Sequence, residues 1–415
     1  MALYAGTTKV VADDCALGFS HFEKPAGTIA ATQVVVPAYA QLDTSEYTGY
    51  SVACGYGKIV VGTPQVEGPG FTSDVGAIQI MDLDGSNKIT VQASTPITNS
   101  DFGGRVAIHS KYIIVGCPTI STNQVYLYNH DGTGETILVG PETDTLIYFG
   151  YSIAVVHNKL IVGAYGEDTG TTDSGSVYIY DLSAANIANS VIKISNPDPE
   201  VSGYFGKNVA GGCGRFVVAA ENNANGNGSG DGVAYVYDLH GNLIKKINTP
   251  TNEGFSGFGA FGTTTAVGSG RILLGAPFQD RGNVYNGAGE VWMYDLDGNY
   301  IKTLESSEWS TSGYFGQAVS VNEGIIAVGE TNGNTGSTNA GAVHVFDLDG
   351  NLLEILPAAD VDNDDYGYAI AIGSGRIVVG DPFYDDSQTD QGAAYIYTFE
   401  QNFNTLIDQT GEGYV

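Results

Sequence analysis

Hydrophobic positions along this chain fall in short runs separated by glycine-containing turns. Residues 149–165 read FGYSIAVVHNKLIVGAY, and the same order of aromatic, small, apolar and turn positions recurs without a gap at 102–118, 261–277 and 366–382. Three more divergent copies start at Thr48, Phe205 and Phe315. Seven units therefore begin near residues 48, 102, 149, 205, 261, 315 and 366 and fill the chain from there onward. Self-similarity at about 50 residues is the mark of a repeat architecture and overrides a domain count taken from length.

Each unit predicts four strands. The fifth residue of every copy is β-branched (Val52, Val106, Ile153, Val209, Thr265, Val319, Ile370) and the sixth is small (Ala53, Ala107, Ala154, Ala210, Ala266, Ser320, Ala371). That pairing suits a short strand A pressed against neighbours near a crowded axis. A polar turn leads to strand B, an unbroken apolar run such as LIV at 160–162 or ILL at 272–274, which reads as buried on both faces. Strand C alternates, as in VYIYD at 177–181 and VWMYD at 291–295, and the repeated DLDGN at 295–299 and 347–351 then makes a hairpin into strand D. The DLDGN stretches are read as turn chemistry, because Asp-Gly is favoured where positive φ is required. A lone four-stranded meander cannot cover both faces, so the fold class expected is all-β, a seven-bladed β-propeller of four-stranded antiparallel blades. Residues 1–32 are expected to form an N-terminal arm and 33–415 the propeller. The strand-like run Gln33–Val36 is the expected closing strand of the seventh blade, with Asn404–Ile407 as the alternative from the other end.

Composition narrows the function. Among 415 residues, 46 acidic and 16 basic side chains leave a charge of −30, which disfavours nucleic acid and anionic membranes as partners. No apolar run is long enough to cross a bilayer as a helix, so membrane insertion is not expected. The start, MALYAGTTKVVADD, lacks the basic and apolar stretches of a secretory signal. Cys15, Cys54, Cys117 and Cys213 show no CxxC spacing and read as small apolar filler, without a disulfide framework or zinc site.

The repeat resembles the FG-GAP repeat, the blade unit of integrin α-chain propellers and of many bacterial and viral surface proteins. Phe149-Gly150 with Gly163-Ala164, and Phe261-Gly262 with Gly275-Ala276-Pro277, match it closely; Thr48-Gly49, Ala219-Ala220-Glu221 and Gly329-Glu330 match less well. The resemblance implies the propeller and a surface role, and leaves the specific job open. Calcium-binding members carry an Asp-rich A–B loop, which here has shrunk to His157-Asn158 or Gly268-Ser269-Gly270, so no calcium is expected in those hairpins and no cofactor is assigned. The nearest acidic ladder is Asp360, Asp362 and Asp364 with Asp365. It has an alternate spacing but lacks the turn glycine and the closing glutamate, and is read as a solvated loop.

Strand alternation places the A–B and C–D turns on one face of the disc and the B–C and D–A loops on the other. On the first face, Lys58, Lys159, Arg215 and Arg271 open strand B opposite Asp82, Asp181, Asp238 and Asp295, which close strand C, and are expected to pair with them. Arg376 holds the same position in the last blade. The variable B–C loops of the second face are the expected ligand-binding surface. Their candidates are Tyr165, Phe278, Tyr285, Phe383 and Tyr384 as flat platforms, with Glu167, Asp168, Asp280, Arg281, Asp385 and Asp386 as polar contacts for a sugar or a protein patch. Six scattered histidines and the absence of GxSxG or phosphate-loop motifs give no catalytic constellation. The expectation is a non-enzymatic attachment or recognition module of a virion, of tail-fibre type, released by lysis. It would bind a cell-surface glycan or a protein partner of an assembly. The alternative is a carbohydrate-active propeller hydrolase or lyase.

Overall fold

The computed structural model describes residues 46–67, 74–118, 123–142, 147–223, 232–250, 261–281, 285–333, 340–358, 365–385 and 390–399, with the backbone of strands at 4–5, 8–9 and 30–32. Seven four-stranded antiparallel sheets are present, six of them meanders in the order A-B-C-D and the seventh completed by a strand from the N-terminal side. In blade 3 the strands are Ile153–Val156, Lys159–Ala164, Ser176–Asp181 and Ile192–Ser195, and every strand B is almost wholly buried, as in Arg271–Ala276 of blade 5. The innermost strands touch one another around a complete circle, with Ala369–Gly373 of blade 7 packed on Ser51–Gly55 of blade 1.

The apolar core is divided into seven layers, each lying between two adjacent blades. Val177 and Ile179 of blade 3 pack on Phe205, Phe216 and Tyr235 of blade 4, and the last layer joins Val378 and Ile396 of blade 7 to Ile59 and Met81 of blade 1. A blade without its neighbours would expose both faces of strands B and C, so burial itself drives ring formation.

The Phe-Gly and Gly-Ala pairs of the repeat seal the upper edges of these layers. In blade 4 the Lys207 N–H donates to the Tyr204 carbonyl at 3.0 Å, a turn in which Gly206 takes φ of 92°, a value only glycine adopts at little cost. The Phe205 N–H donates to Ser174 O of blade 3 at 3.1 Å, while its ring is buried edge-on to Tyr235 of its own blade, 5.5 Å away. The Gly that ends strand B faces the Phe-Gly turn of the next blade: a Cβ on Gly163 would lie 1.9 Å from Gly206 O, and one on Gly380 would lie 2.0 Å from Gly49 O.

The closing strand comes from the N-terminal side, where Ala30–Thr32 pairs antiparallel with Ala393–Thr398, just ahead of the expected run Gln33–Val36. The propeller thus begins inside the segment expected to be the arm. Residues 33–36 and 404–407 lie outside the described residues.

The lower face departs from the expected ion pairs. Lys58–Asp82 (2.6 Å) and Lys159–Asp181 (3.0 Å) form as expected within their blades. Arg215 and Arg271 are in register with, or beside, their expected partners, yet their guanidinium groups reach sideways to Asp297 (3.7 Å) and Asp349 (3.9 Å) of the following blades. Asp238 and Asp295 already accept backbone and Asn side-chain hydrogen bonds in their own turns, and the longer arginine arm spans the gap. Arg271 Nε also donates to Leu348 O at 2.9 Å, and Arg376 Nε to Leu83 O of blade 1 at 3.2 Å, so the arginines act as struts between blades. The A–B tips add to this lacing: both Glu323 carboxylate oxygens accept N–H groups of the next tip, from Ser374 and Gly375, at 2.8 Å.

Cysteine usage requires one further correction. Cys54 and Cys117 are free, but Cys213, at the A–B tip of blade 4, is disulfide-bonded, its partner lying outside the described residues. No CxxC spacing marks it in the sequence.

Candidate functional site

The turn that opens each strand A stands at the upper mouth of the central channel. The residue before Phe-Gly, or its equivalent, is Tyr47, Asp101, Tyr148, Tyr204, Tyr314 or Asp365 in six blades, and all six take left-handed φ between 51° and 60°. The residue after Phe-Gly is Tyr50, Tyr151 or Tyr368 in blades 1, 3 and 7, and Lys207 in blade 4. Blade 2 has Gly104 there and supplies Arg105 one position later.

These side chains join into one arc across five blades. Phe383 meets Tyr47 at 5.1 Å and Tyr368 at 6.2 Å, and Tyr368 meets Tyr50 at 5.1 Å. The Arg105 guanidinium lies between the rings of Tyr50 (5.7 Å) and Tyr151 (4.9 Å). Beyond it, Tyr165 contacts Tyr151 at 4.7 Å, stacks on Tyr148 at 4.7 Å and meets Tyr204 edge-on at 5.4 Å. The Lys207 ammonium ends the arc over Tyr204 and Tyr165 and is paired with Glu221. The aromatic members are half-buried, each with part of its surface open to solvent.

The electrostatics of the mouth are set by burial. It pushes the Tyr165 and Tyr368 phenols well above their ordinary range, so both stay neutral hydrogen-bonding groups. Burial also raises Asp365, to about 6, and raises Asp101 against the opposing pull of Arg105. Arg105 donates to Gly104 O at 2.6 Å and lies against the Tyr50 ring, but among the described residues it makes no ion pair with a carboxylate.

Only part of the candidate set read from the loops converges here. Tyr165 and Phe383 are members of the arc. Glu167 points into blade 3, where it is buried, accepts the Tyr178 hydroxyl at 2.6 Å and pairs with Lys193. Asp168, Asp280 and Asp385 accept backbone N–H groups of their own loops, from Asp173 (2.8 Å), Gly287 (2.8 Å) and Asp390 (2.6 Å). Tyr384 packs on the blade 6–7 core. Phe278 is 45% exposed and edge-on to Tyr314. Arg281 is held by Glu290 (3.0 Å) and Glu305 (2.6 Å) against the Trp309 ring, whose centre lies 4.1 Å away, and Tyr285 meets that ring edge-on at 6.1 Å. These last residues form a separate patch over blade 5. Asp386 and the ladder Asp360, Asp362, Asp364 lie outside the described residues. Among the described residues no group of three His, Cys, Asp or Glu side chains is placed to hold a metal. Tyr47, Tyr50, Arg105, Tyr148, Tyr151, Tyr204, Lys207 and Tyr368 lie outside the variable B–C loops and are not among the candidates. Their signal was the recurrence of tyrosine on both sides of Phe-Gly.

The FG-GAP repeat family matches residues 133–180 and 354–397. Each matched stretch runs from strand D of one blade through strand C of the next, the same offset by which an N-terminal strand completes blade 7. The sequence matches no curated protein. Among solved structures the fold is similar to the WD40 domain of Neurospora crassa Pan2, at 9% identity and a TM-score of 0.53, over 89% of this chain and 95% of that one. That likeness concerns the ring of blades alone. Two stretches of the chain match the FG-GAP repeat, and the seven-bladed propeller that contains them is consistent with the integrin α-like type, a fold that suggests binding and recognition.

Proposed function

We propose that this FG-GAP propeller is a non-enzymatic recognition module that binds a glycan at the upper mouth of its channel, and that it serves on a virion or another released surface. The carrying observation is the arc from Phe383 to Lys207. Half-buried phenol rings present flat apolar faces for sugar rings and hydroxyls for their polar edges. Backbone strain supports the same reading. Left-handed φ costs a non-glycine residue about 1–2 kcal/mol, and glycine or asparagine would meet it more cheaply, yet tyrosine stands there four times. The side chain is then what the position requires.

The net charge of −30 suits a protein released from the cell whose partner is neither nucleic acid nor an anionic membrane. A glycan array probed with the wild-type protein, with Tyr151→Ala and with Tyr165→Ala tests the site. Hits that weaken at least tenfold in both variants are expected, and hits indifferent to both would move recognition elsewhere. Incubation of any hit with the protein, followed by product analysis, tests the non-enzymatic half, and turnover would overturn it. Mass spectrometry of particles released by lysis of a producing culture tests the virion placement.

A further inference from the structure

Arg105 singles out the chemistry of the ligand. Of the five arginines, Arg215, Arg271 and Arg281 reach carboxylates, and Arg376 is spent on the carbonyl of Leu83. Arg105 alone stands at the channel mouth. In a chain with almost three acids for every base it is half-buried and without a carboxylate partner among the described residues. A partly desolvated cation is costly unless an anion meets it. Its guanidinium carries five N–H donors. One goes to Gly104 O, which leaves a set free to grip a planar or tetrahedral anion.

The neighbours say what else the anion is attached to. Tyr50 and Tyr151 flank the guanidinium, and further rings continue on both sides toward Phe383 and Tyr204. An anion held at Arg105 therefore has aromatic faces to its left and right, an arrangement that fits a chain of rings with an acidic unit inside it. Lys207 does not compete for this role, since Glu221 neutralises it. We infer that the mouth of the propeller is a subsite for an acidic saccharide, with Arg105 as the receptor for its carboxylate or sulfate group. This rests on the recognition reading above and adds the ligand class.

The experiment is an array of matched saccharide pairs: sialylated and desialylated, uronate and its methyl ester, sulfated and desulfated. It is read with wild type, Arg105→Gln and Arg105→Lys, each checked for an unchanged thermal midpoint. The expected result is binding confined to acidic members, lost at least tenfold in Arg105→Gln and partly retained in Arg105→Lys, which keeps the charge but not the fork. The matched pairs separate carboxylate from sulfate. Equal binding of acidic and neutral partners, or full affinity in Arg105→Gln, overturns the acidic class while leaving glycan recognition intact. Binding to an acidic peptide panel with none to any saccharide overturns the saccharide assignment as well. If Arg105→Gln fails to fold, the Arg105→Lys data decide: affinity for acidic members undiminished relative to neutral ones rejects the two-pronged contact.

Discussion

The seal between blades can be tested at a single methyl group, by Gly163→Ala. The new Cβ would lie 1.9 Å from Gly206 O and 2.2 Å from Ser152 Oγ, where real Cβ atoms approach no closer than about 3.0 Å. The first contact alone demands a movement of at least 3.0 − 1.9 = 1.1 Å, and the obstacle is backbone in the Phe-Gly turn of blade 4. Overpacking of a buried site costs about 1–3 kcal/mol. The Ser152 hydroxyl would also be pushed from its 2.7 Å hydrogen bond to Gly206 O, a further loss of about 1 kcal/mol. The sum, about 2–4 kcal/mol, should lower the thermal midpoint followed by far-ultraviolet circular dichroism by several degrees. Ala219→Gly is the control. Blade 4 already has alanine at the equivalent position, fully buried opposite Gly262, so removing its methyl should bring no relief and a loss of about 1 kcal/mol. If Gly163→Ala melted with wild type, the claim that these glycines exist to let neighbouring blades touch would be refuted.

Other outcomes follow from the titrating groups and the closure. Burial holds Asp365 at about 6, above its ordinary 3.8, so its ionisation opposes folding fully above pH 6 and not at all below about pH 4. Asp365→Asn, at a left-handed position asparagine tolerates, should therefore stabilise the protein by about 1 kcal/mol at pH 7.5, half-exposure having discounted the full linkage of ~3 kcal/mol. The gain should vanish at pH 3.5 in paired denaturant melts. Asp181 is held at about 2, first by the Ser183 hydrogen bond and then by Lys159, so its contribution persists above about pH 4 and is lost as pH falls through 2. Carboxyl carbon NMR should show that midpoint rise part of the way toward the ordinary range in Ser183→Ala, since Lys159 and the backbone N–H of residue 183 still act on it. Cys54 is pushed up to about 12 by burial and Cys117 is buried, so a thiol reagent should find almost no reactive thiol in the folded protein. It should find two after denaturation without reductant and four after reduction. Removal of residues 1–32 takes away the outer strand of blade 7, and accelerated hydrogen exchange in Ala393–Thr398 should report the opened edge.

The ring was legible because repetition averages out local ambiguity: one apolar run of six residues is no strand assignment, but seven in register are. The same repetition concealed the mouth. Tyr148, Tyr151 and Tyr204 belong to the repeated turns, and attention to what varies between blades drew the loop residues Asp168, Asp280 and Asp385 forward, which the structure engages in holding their own loops. Side-chain reach was a second blind spot. Register places Arg215 opposite Asp238, yet it is the distance to the neighbouring blade, set by the radius of the ring, that takes its guanidinium to Asp297. The pairing of Ala30–Thr32 with blade 7 is likewise a fact of the closed ring, and the disulfide of Cys213 carries no spacing signal in the sequence.

Recognition through the channel mouth is tested most directly by measuring the affinity of one array-derived saccharide for two variants side by side. Tyr151→Ala removes a ring that flanks Arg105 on the upper face, and Arg271→Ala cuts a strut on the lower face. The account predicts at least a tenfold loss in the first and wild-type affinity in the second, despite its slightly lower melting midpoint. Loss of binding in Arg271→Ala with full affinity in Tyr151→Ala would place recognition on the opposite side of the disc and contradict the account.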